Sequence, residues 1–216
     1  MQLERYLERD DRIVLPLGST EQHAYLSLAT DSILAERIAV EAAEPLGVPV
    51  LSALAYGVTP RFAAYPGSPS LSAETYVTLL AELLESLQGQ GFRRVLVVSG
   101  HGGNSFAAER VAREGVGWHD WWSSPRQRAL VERIDPDGSH ASWIENLPWT
   151  RLPRVELPAG HKERVDVEGI TDPGELRRLV GDGSFGGFYE RPDAEVLELW
   201  RAGVEEVREL LVHGFE

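Results

Sequence analysis

Three side chains that could do chemistry fall close together near the start of the chain, in the stretch GSTEQHAYLSLATD (residues 18–31). Glu21, His23 and Asp31 supply two carboxylates and an imidazole just past a short apolar run. Such groups bind divalent cations or transfer protons. An isolated E-x-H pattern is also typical of solvated loop residues, because short motifs have low specificity. The stretch therefore raises the hypothesis of a metal site without deciding it.

Two further polar clusters occur later in the chain. SGHGGN (residues 99–104) holds His101 among three glycines, which permit a ligand to approach the backbone closely. This loop could be a plain turn, a phosphate cradle at a helix N-terminus or a metal-binding loop. SHASWIEN (residues 139–146) adds His140 and Glu145, which could also be surface residues. Taken together, the three clusters favour a metal centre built from nitrogen and oxygen ligands.

Composition narrows the class of protein. With 216 residues and 43% hydrophobic content, the chain can bury one substantial core, so we expect a single domain over residues 1–216. The net charge of -13 opposes binding to nucleic acid or to anionic membranes. The absence of cysteine excludes disulfides and Cys-ligated zinc. A charged N-terminus and the lack of a long apolar run predict no signal peptide, no membrane span and a cytoplasmic location.

The elements that must position these clusters follow from the hydrophobic pattern. Apolar runs predict strands at residues 13–17, 48–51, 94–98 and 116–122. Helical spacing predicts helices over 32–43, from an N-cap at Ser72 to 89, after Asn104, and around 197–211. The branched run at 94–98 is typical of a parallel sheet covered on both faces, which predicts an α/β fold. In such sheets ligands bind beyond the carboxyl ends of the strands, where the first two clusters lie.

At these residues the chain resembles the creatininase, or creatinine amidohydrolase, family. Four motifs occur in the family's order, and together they cover about residues 11 to 146. They are residues 18–23 with 30–31, 65–68 with 70–75, 91–94 with 100–104, and 140–145. Their co-occurrence is far more specific than any one of them. The resemblance implies a three-layer α/β/α fold with a mostly parallel sheet, and a site holding two divalent ions, zinc or manganese.

Carried over by position, the resemblance also implies a ligand set. Glu21, Asp31 and His101 correspond to ligands of one ion. His23 and Asp31 correspond to ligands of the other, so that Asp31 bridges the pair.

Two positions in the later motifs complete the expected site. In creatininase the second ion also takes a glutamate two residues after the G-H histidine, a position occupied here by Gly103. We therefore expect Glu145 to replace it, either as a ligand or as a catalytic residue. His140 corresponds to the family's catalytic histidine, which takes a proton from water and delivers it to the leaving nitrogen. The alternative role for His140 is to orient a ligand from outside the metal shell.

The expected function is therefore metal-dependent hydrolysis of a C–N amide bond in a cyclic amide, a formamide or a peptide-like substrate. The alternatives are a nucleotide- or phosphate-binding module that uses SGHGGN, and a catalytically silent family member. The stretch after His23 is one residue shorter than in most members and lacks their third histidine, which disfavours creatinine as the substrate. The resemblance also implies a homo-oligomer, often a hexamer. Trp143 is the expected pocket wall, and His119 and His161 are expected to be surface histidines.

Overall fold

A three-stranded parallel sheet positions the polar clusters. The computed structural model describes residues 2–214, and its main sheet has the order β1 (Arg12–Leu17), β2 (Arg94–Ser99) and β3 (Val116–Asp120). The register places Val14 opposite Leu96, and Leu96 opposite Gly117. Parallel strands run in one direction, so the loops after β1 and β2 leave the sheet at the same edge.

Helices cover both faces of this sheet. On one face α2 (Thr30–Ala43), α5 (Pro125–Ile134) and α7 (Asp193–His213) pack on Val14, Leu96 and Val98. On the other face α1 (Gln2–Leu7), α3 (Ala73–Gly89) and α4 (Ala107–Arg110) pack on the alternate residues of the same strands. Successive side chains of a strand point to opposite faces of the sheet, so each strand contributes apolar residues to both cores. This explains the continuous apolar run in β2. The predicted three-layer α/β/α fold is confirmed.

Most predicted elements occur close to their expected bounds. Ser72 caps α3, because its hydroxyl accepts a hydrogen bond from the Thr75 amide at 3.2 Å. The helix expected after Asn104 is only the single turn α4. The strand predicted at 48–51 is wrong. The segment touches β1 only through isolated bridges, Val50 to Val14 and Leu54 to Leu17, because Pro49 has no N–H to donate to a ladder.

Residues 161–188, which precede α7, form a smaller unit outside the main sheet. It contains α6 (Pro173–Val180) and an antiparallel pair, β4 (His161–Lys162) with β5 (Gly187–Phe188). A third apolar cluster joins α6 to the loop between α2 and α3 through Phe62 and Tyr65. His161 is exposed, as expected, whereas the side chain of His119 is only 15% exposed. Among residues 2–214, no helix has the length and apolar character needed to cross a bilayer.

Candidate metal centre

Five polar side chains converge beyond the carboxyl ends of β1 and β2. Glu21 and His23 lie on the loop after β1, and Asp31 lies in the first turn of α2. His101 follows β2, and Glu145 ends a 3₁₀ turn, Trp143–Glu145. All five are at most 9% exposed, although three of them are carboxylates, which are seldom buried without a partner. The three sequence clusters thus form one site.

One half of the site is centred on His101. Its Nδ1 lies 3.3 Å from Glu21 Oε1 and 3.0 Å from Asp31 Oδ2. Its Nε2 lies 3.1 Å from the backbone oxygen of Val58. A ring N–H donated to a carbonyl fixes the tautomer and leaves the other nitrogen free to ligate. Nδ1 of His101 therefore faces the carboxylates in the way that a metal ligand does.

The other half is centred on His23. Its Nε2 lies 2.9 Å from Asp31 Oδ1 and 3.7 Å from Glu145 Oε2. Its Nδ1 lies 3.1 Å from the backbone oxygen of Glu21, which again leaves the opposite nitrogen facing the carboxylates. Asp31 therefore offers one oxygen to each histidine. In each half, the three donor atoms lie within 4.8 Å of one another.

Two donor atoms of this cluster lack hydrogen bonds. His23 Nε2 and Asp31 Oδ2 are buried and have no hydrogen bond of acceptable geometry among the described residues, although oppositely charged groups lie close to both. Buried polar atoms are almost always hydrogen-bonded or ligated. The donor set, which is two imidazole nitrogens and carboxylate oxygens without sulfur, fits zinc or manganese. The residues present therefore fit a pair of divalent ions.

The charges of the metal-free cluster are balanced by protons. Burial alone lowers the pKa of His23, but the adjacent Asp31 carboxylate outweighs it and raises that pKa to about 10. Burial likewise opposes the charge of His101, and Glu21 overcomes it, so that the pKa of His101 lies well above its ordinary value. Burial raises the pKa of Glu145 to about 7, although His23 opposes this shift. Without metal, both histidines are therefore protonated at neutral pH.

His140 lies beside this cluster and differs from it in charge. Its Nε2 is 2.9 Å from the backbone oxygen of Gln22, and its Nδ1 is 3.7 Å from Glu21 Oε1. Burial, reinforced by the nearby charge of His23, lowers the pKa of His140 to about 4. The ring centroids of His140 and His23 are 4.3 Å apart. A neutral imidazole with a free nitrogen facing the site can accept a proton, and the same nitrogen could also complete a third donor set with Glu21 and His23.

The backbone has a positive φ directly after His23 and directly after His140. Ala24 has φ 48° and Ala141 has φ 59°, in the left-handed region that non-glycine residues rarely adopt. The Ala141 amide donates a hydrogen bond of 2.6 Å to Glu145 Oε2. Such backbone strain is concentrated at functional sites. Here it directs His140 and Glu145 toward the same point.

Sequence reasoning missed two residues that hold the site in place. The hydroxyl of Thr59 donates a hydrogen bond to Glu21 Oε2. Asn104 donates from Nδ2 to the oxygen of Gly18 at 3.0 Å and accepts from the Val58 amide at 3.1 Å. Asn104 therefore ties three loops together. Its place in SGHGGN was a usable signal, whereas nothing in the sequence around Thr59 indicated its contact.

The site forms the floor of a cavity of about 520 Å³. Phe62, Trp122 and Phe185 contribute aromatic walls, and three arginines also line it. The prediction that Trp143 walls the pocket is wrong. Trp143 is fully buried in the core, and its indole lies behind Gly138, where a Cβ would come within 2.5 Å of Nε1. Trp122, which is 38% exposed, lines the cavity instead.

The fold and the site together define an α/β protein with a buried nitrogen- and oxygen-donor centre at the carboxyl edge of its sheet. The sequence model of the creatininase family, described as creatinine amidohydrolase, matches residues 1–149. This protein belongs to that family.

Two curated relatives illustrate the range of the family. The chain is 26% identical to creatinine amidohydrolase of Pseudomonas putida over 145 residues, which is 58% of this chain and 56% of that protein. It is 38% identical to the mycofactocin precursor peptide peptidase of Mycobacterium tuberculosis over 110 residues, 46% of this chain and 43% of that protein. The chain spans between a third and just over half of the length of the curated relatives it matches.

Solved structures show the same fold. A crystal structure of creatininase superimposes with a TM-score of 0.76 at 21% identity, and the match covers 100% of this chain and 96% of that one. Similar structures include a mutant creatininase of the Zn-Zn type and a manganese creatininase.

Proposed function

We propose that this protein is a metal-dependent amidohydrolase that cleaves a C–N amide bond in a small-molecule substrate with the help of two divalent ions, zinc or manganese. The observation that carries the proposal is the arrangement of Asp31, which directs one carboxylate oxygen to each of two buried histidines. Zinc and manganese forms of creatininase support the choice of metals. Creatinine itself is disfavoured, because the loop after His23 departs from the usual family pattern.

The residues divide the work as follows. Glu21, Asp31 and His101 would hold one ion, and His23, Asp31 and Glu145 the other. When bound, such a pair of ions lowers the pKa of a water molecule and polarises the substrate carbonyl. Thr59 keeps Glu21 oriented, and backbone carbonyls fix the tautomers of both histidines.

His140 would move the proton. Its Nε2–H is donated to the oxygen of Gln22, so Nδ1 is the nitrogen free to accept a proton from the attacking water. The same nitrogen would then protonate the leaving amine. Burial lowers the pKa of His140, which keeps the ring neutral and ready to accept a proton at neutral pH.

Gly103 explains why Glu145 is needed in this chain. A Cβ at position 103 would lie 2.2 Å from the oxygen of Val58 and 2.3 Å from His101 Nε2. A glutamate therefore cannot be placed there without displacing His101. Glu145, held by the Ala141 amide, supplies a carboxylate 3.7 Å from His23 instead.

Elemental analysis of wild type and Glu145→Gln tests this assignment. We expect two ions per wild-type chain and about one in the variant, because the second site loses a carboxylate. Glu132→Gln is the matched control, since Glu132 lines the same cavity but belongs to neither donor set. Two ions retained in Glu145→Gln would refute the role of Glu145.

Hydrolysis assays then test the reaction class. Wild type loaded with zinc or manganese should release an amine from at least one member of a panel of small amides, lactams and formamides. Bound metal without turnover of any member would favour a catalytically silent protein. A homo-oligomer, expected to be a hexamer, and a cytoplasmic location stay predictions.

A further inference from the structure

Three arginines line the cavity of a chain whose net charge is -13. They are Arg61, Arg128 and Arg164. Among residues 2–214, none of them forms an ion pair with a carboxylate, whereas several other arginines do. Unpaired cations that face a cavity indicate that its ligand carries negative charge.

Arg61 is the arginine whose position is best defined. One terminal nitrogen donates a hydrogen bond of 2.6 Å to the oxygen of Val167, and the guanidinium carbon lies 5.9 Å from the ring centroid of Phe185. These contacts fix the guanidinium plane. Its Nε is nevertheless buried and has no hydrogen-bond partner among the described residues. A buried donor of a charged group left unpaired is costly, and the guanidinium therefore has hydrogen-bonding capacity that the protein does not use.

Arg61 is also close to the reacting end of the cavity. The adjacent residue, Phe62, packs its ring on His140, with centroids 4.8 Å apart. Phe185 packs on the same imidazole, at 4.9 Å. The arginine is therefore attached to the aromatic wall that surrounds the proposed proton carrier. A group bound by Arg61 would belong to the same small molecule as the scissile amide.

The lining of a second cavity indicates where a negatively charged group of the substrate would bind. This cavity has a volume of about 450 Å³ and shares Arg61, Ser139, Arg164 and Phe185 with the first, so both arginines lie at the junction. The rest of the lining of the second cavity includes Asp166 and Glu168, which repel anions. In the first cavity, the carboxylates of the floor would be neutralised once the divalent ions are bound. The junction is thus the point of the cavity most favourable to a carboxylate.

We propose that Arg61, with Arg164 lining the same junction, binds a carboxylate of the substrate. The substrate class is then an amide with a free carboxylate near the scissile C–N bond, as in an N-acyl amino acid. The aromatic walls formed by Phe62, Trp122 and Phe185 favour an apolar side chain on that amino acid. This inference rests on the proposed amidohydrolase function.

The test compares two probes that differ only at the carboxylate, N-acetyl-L-leucine and N-acetyl-L-leucinol. Their dissociation constants are measured by calorimetry on the zinc-loaded full chain, and release of acetate is measured separately. Wild type should bind the acid about tenfold to a hundredfold more tightly than the alcohol, which is the usual value of a hydrogen bond to a charged group. Arg61→Gln should lose this preference at unchanged zinc content. Arg61→Lys, which keeps the charge without the planar fork, should retain part of it.

Arg177→Gln is the matched control for the possibility that Arg61 acts only by supporting the structure. Arg177 also donates a 2.6 Å hydrogen bond to a backbone oxygen, that of Ala64, and lies 5.2 Å from the ring centroid of Tyr65. It does not line the cavity. Its loss should leave the preference for the acid unchanged. If Arg61→Gln does not fold, Arg61→Lys decides the test: a reduced ratio of the two dissociation constants supports the inference, and a ratio equal to that of wild type overturns it.

The outcomes separate this inference from the proposed function. Equal binding of the two probes by wild type, no binding of either, or a preference that persists in both Arg61 variants would overturn the inference, even if neutral amides are hydrolysed. A preference that depends on Arg61, without hydrolysis of any amide, would support the carboxylate site and overturn the proposed reaction.

Discussion

The floor and the outer wall of the cavity are built in different ways. The floor takes four of its donor groups from the ends of β1 and β2 and from the first turn of α2, and the fifth, Glu145, from a 3₁₀ turn; all five side chains are at most 9% exposed. The wall takes Arg61, Trp122, Arg164 and Phe185 from loops, and Arg61 and Arg164 contact backbone oxygens of neighbouring loops. A rigid sheet edge can hold reacting groups in fixed positions, while loops can vary with the substrate.

The family match follows this division only in part. It ends at residue 149, so it contains every residue of the floor together with Arg61 and Trp122 of the wall, whereas Arg164 and Phe185 lie beyond it. We infer that the floor specifies the type of reaction and that the wall specifies the substrate. The following predictions test this division, from the largest expected effect to the smallest.

Asp31→Asn should have the largest effect. The amide cannot present a negative oxygen to each half of the site, so zinc affinity should fall more than the 10–100-fold typical of changes outside the metal shell. Metal content after dialysis measures this. Asp120→Asn is the matched control, because Asp120 lies at the end of β3 and accepts a hydrogen bond from Trp118 instead of joining the donor set. Full metal occupancy in Asp31→Asn would contradict the assignment of the floor.

His140→Ala should lower kcat by about 10²–10⁴-fold, the usual contribution of a general acid–base group. Metal content should stay normal, since both donor sets around Asp31 remain. The exposed His161 provides the control variant His161→Ala. Normal turnover with normal metal content would exclude the catalytic role, and loss of metal would identify His140 as a ligand.

Metal-free protein should lose stability as pH rises. The pKa of His23 is raised from 6.5 to about 10 on folding, so its contribution is fully present below pH 6.5 and is lost as pH approaches 10. Glu145, whose pKa is raised to about 7, changes in the same direction between about pH 4.5 and 7, whereas His140, whose pKa is lowered to about 4, changes in the opposite direction between about pH 4 and 6.5. Unfolding with a chelator present should therefore show its clearest loss, on the order of a few kcal/mol, between pH 6.5 and 10.

Zinc should reverse this trend, because metal displaces the protons of His23 and His101 and therefore binds more tightly at high pH. The stabilisation by zinc should accordingly increase with pH. Glu145→Gln should remove the fall in metal-free stability that Glu145 contributes between about pH 4.5 and 7. A metal-free stability that is flat or that rises with pH between 6.5 and 10 would contradict the ion pairing described for the floor.

Trp122→Ala should have the smallest effect. The ring lines the cavity but is 38% exposed and is not part of either main core cluster, so its loss should raise KM a few-fold and leave kcat and metal content unchanged. Steady-state kinetics on any amide found to be hydrolysed measures this. A variant that loses metal would show that the wall also supports the floor.

The sequence by itself determined the elements whose signals are local. The apolar run before residue 99, the helical spacing after Ser72 and the ordered motifs predicted the α/β layers and the residues of the floor. Periodicity and capping depend on neighbours a few residues apart, so they can be read directly from the chain.

Only the tertiary structure decided which distant side chains meet. It placed Thr59 on Glu21 and Trp143 in the core, and it left the 48–51 segment outside the regular sheet. It also brought Arg61 and Arg164 to one junction. Contacts across so many residues depend on the paths of loops, which carry no periodic signal and are fixed only when the two cores pack.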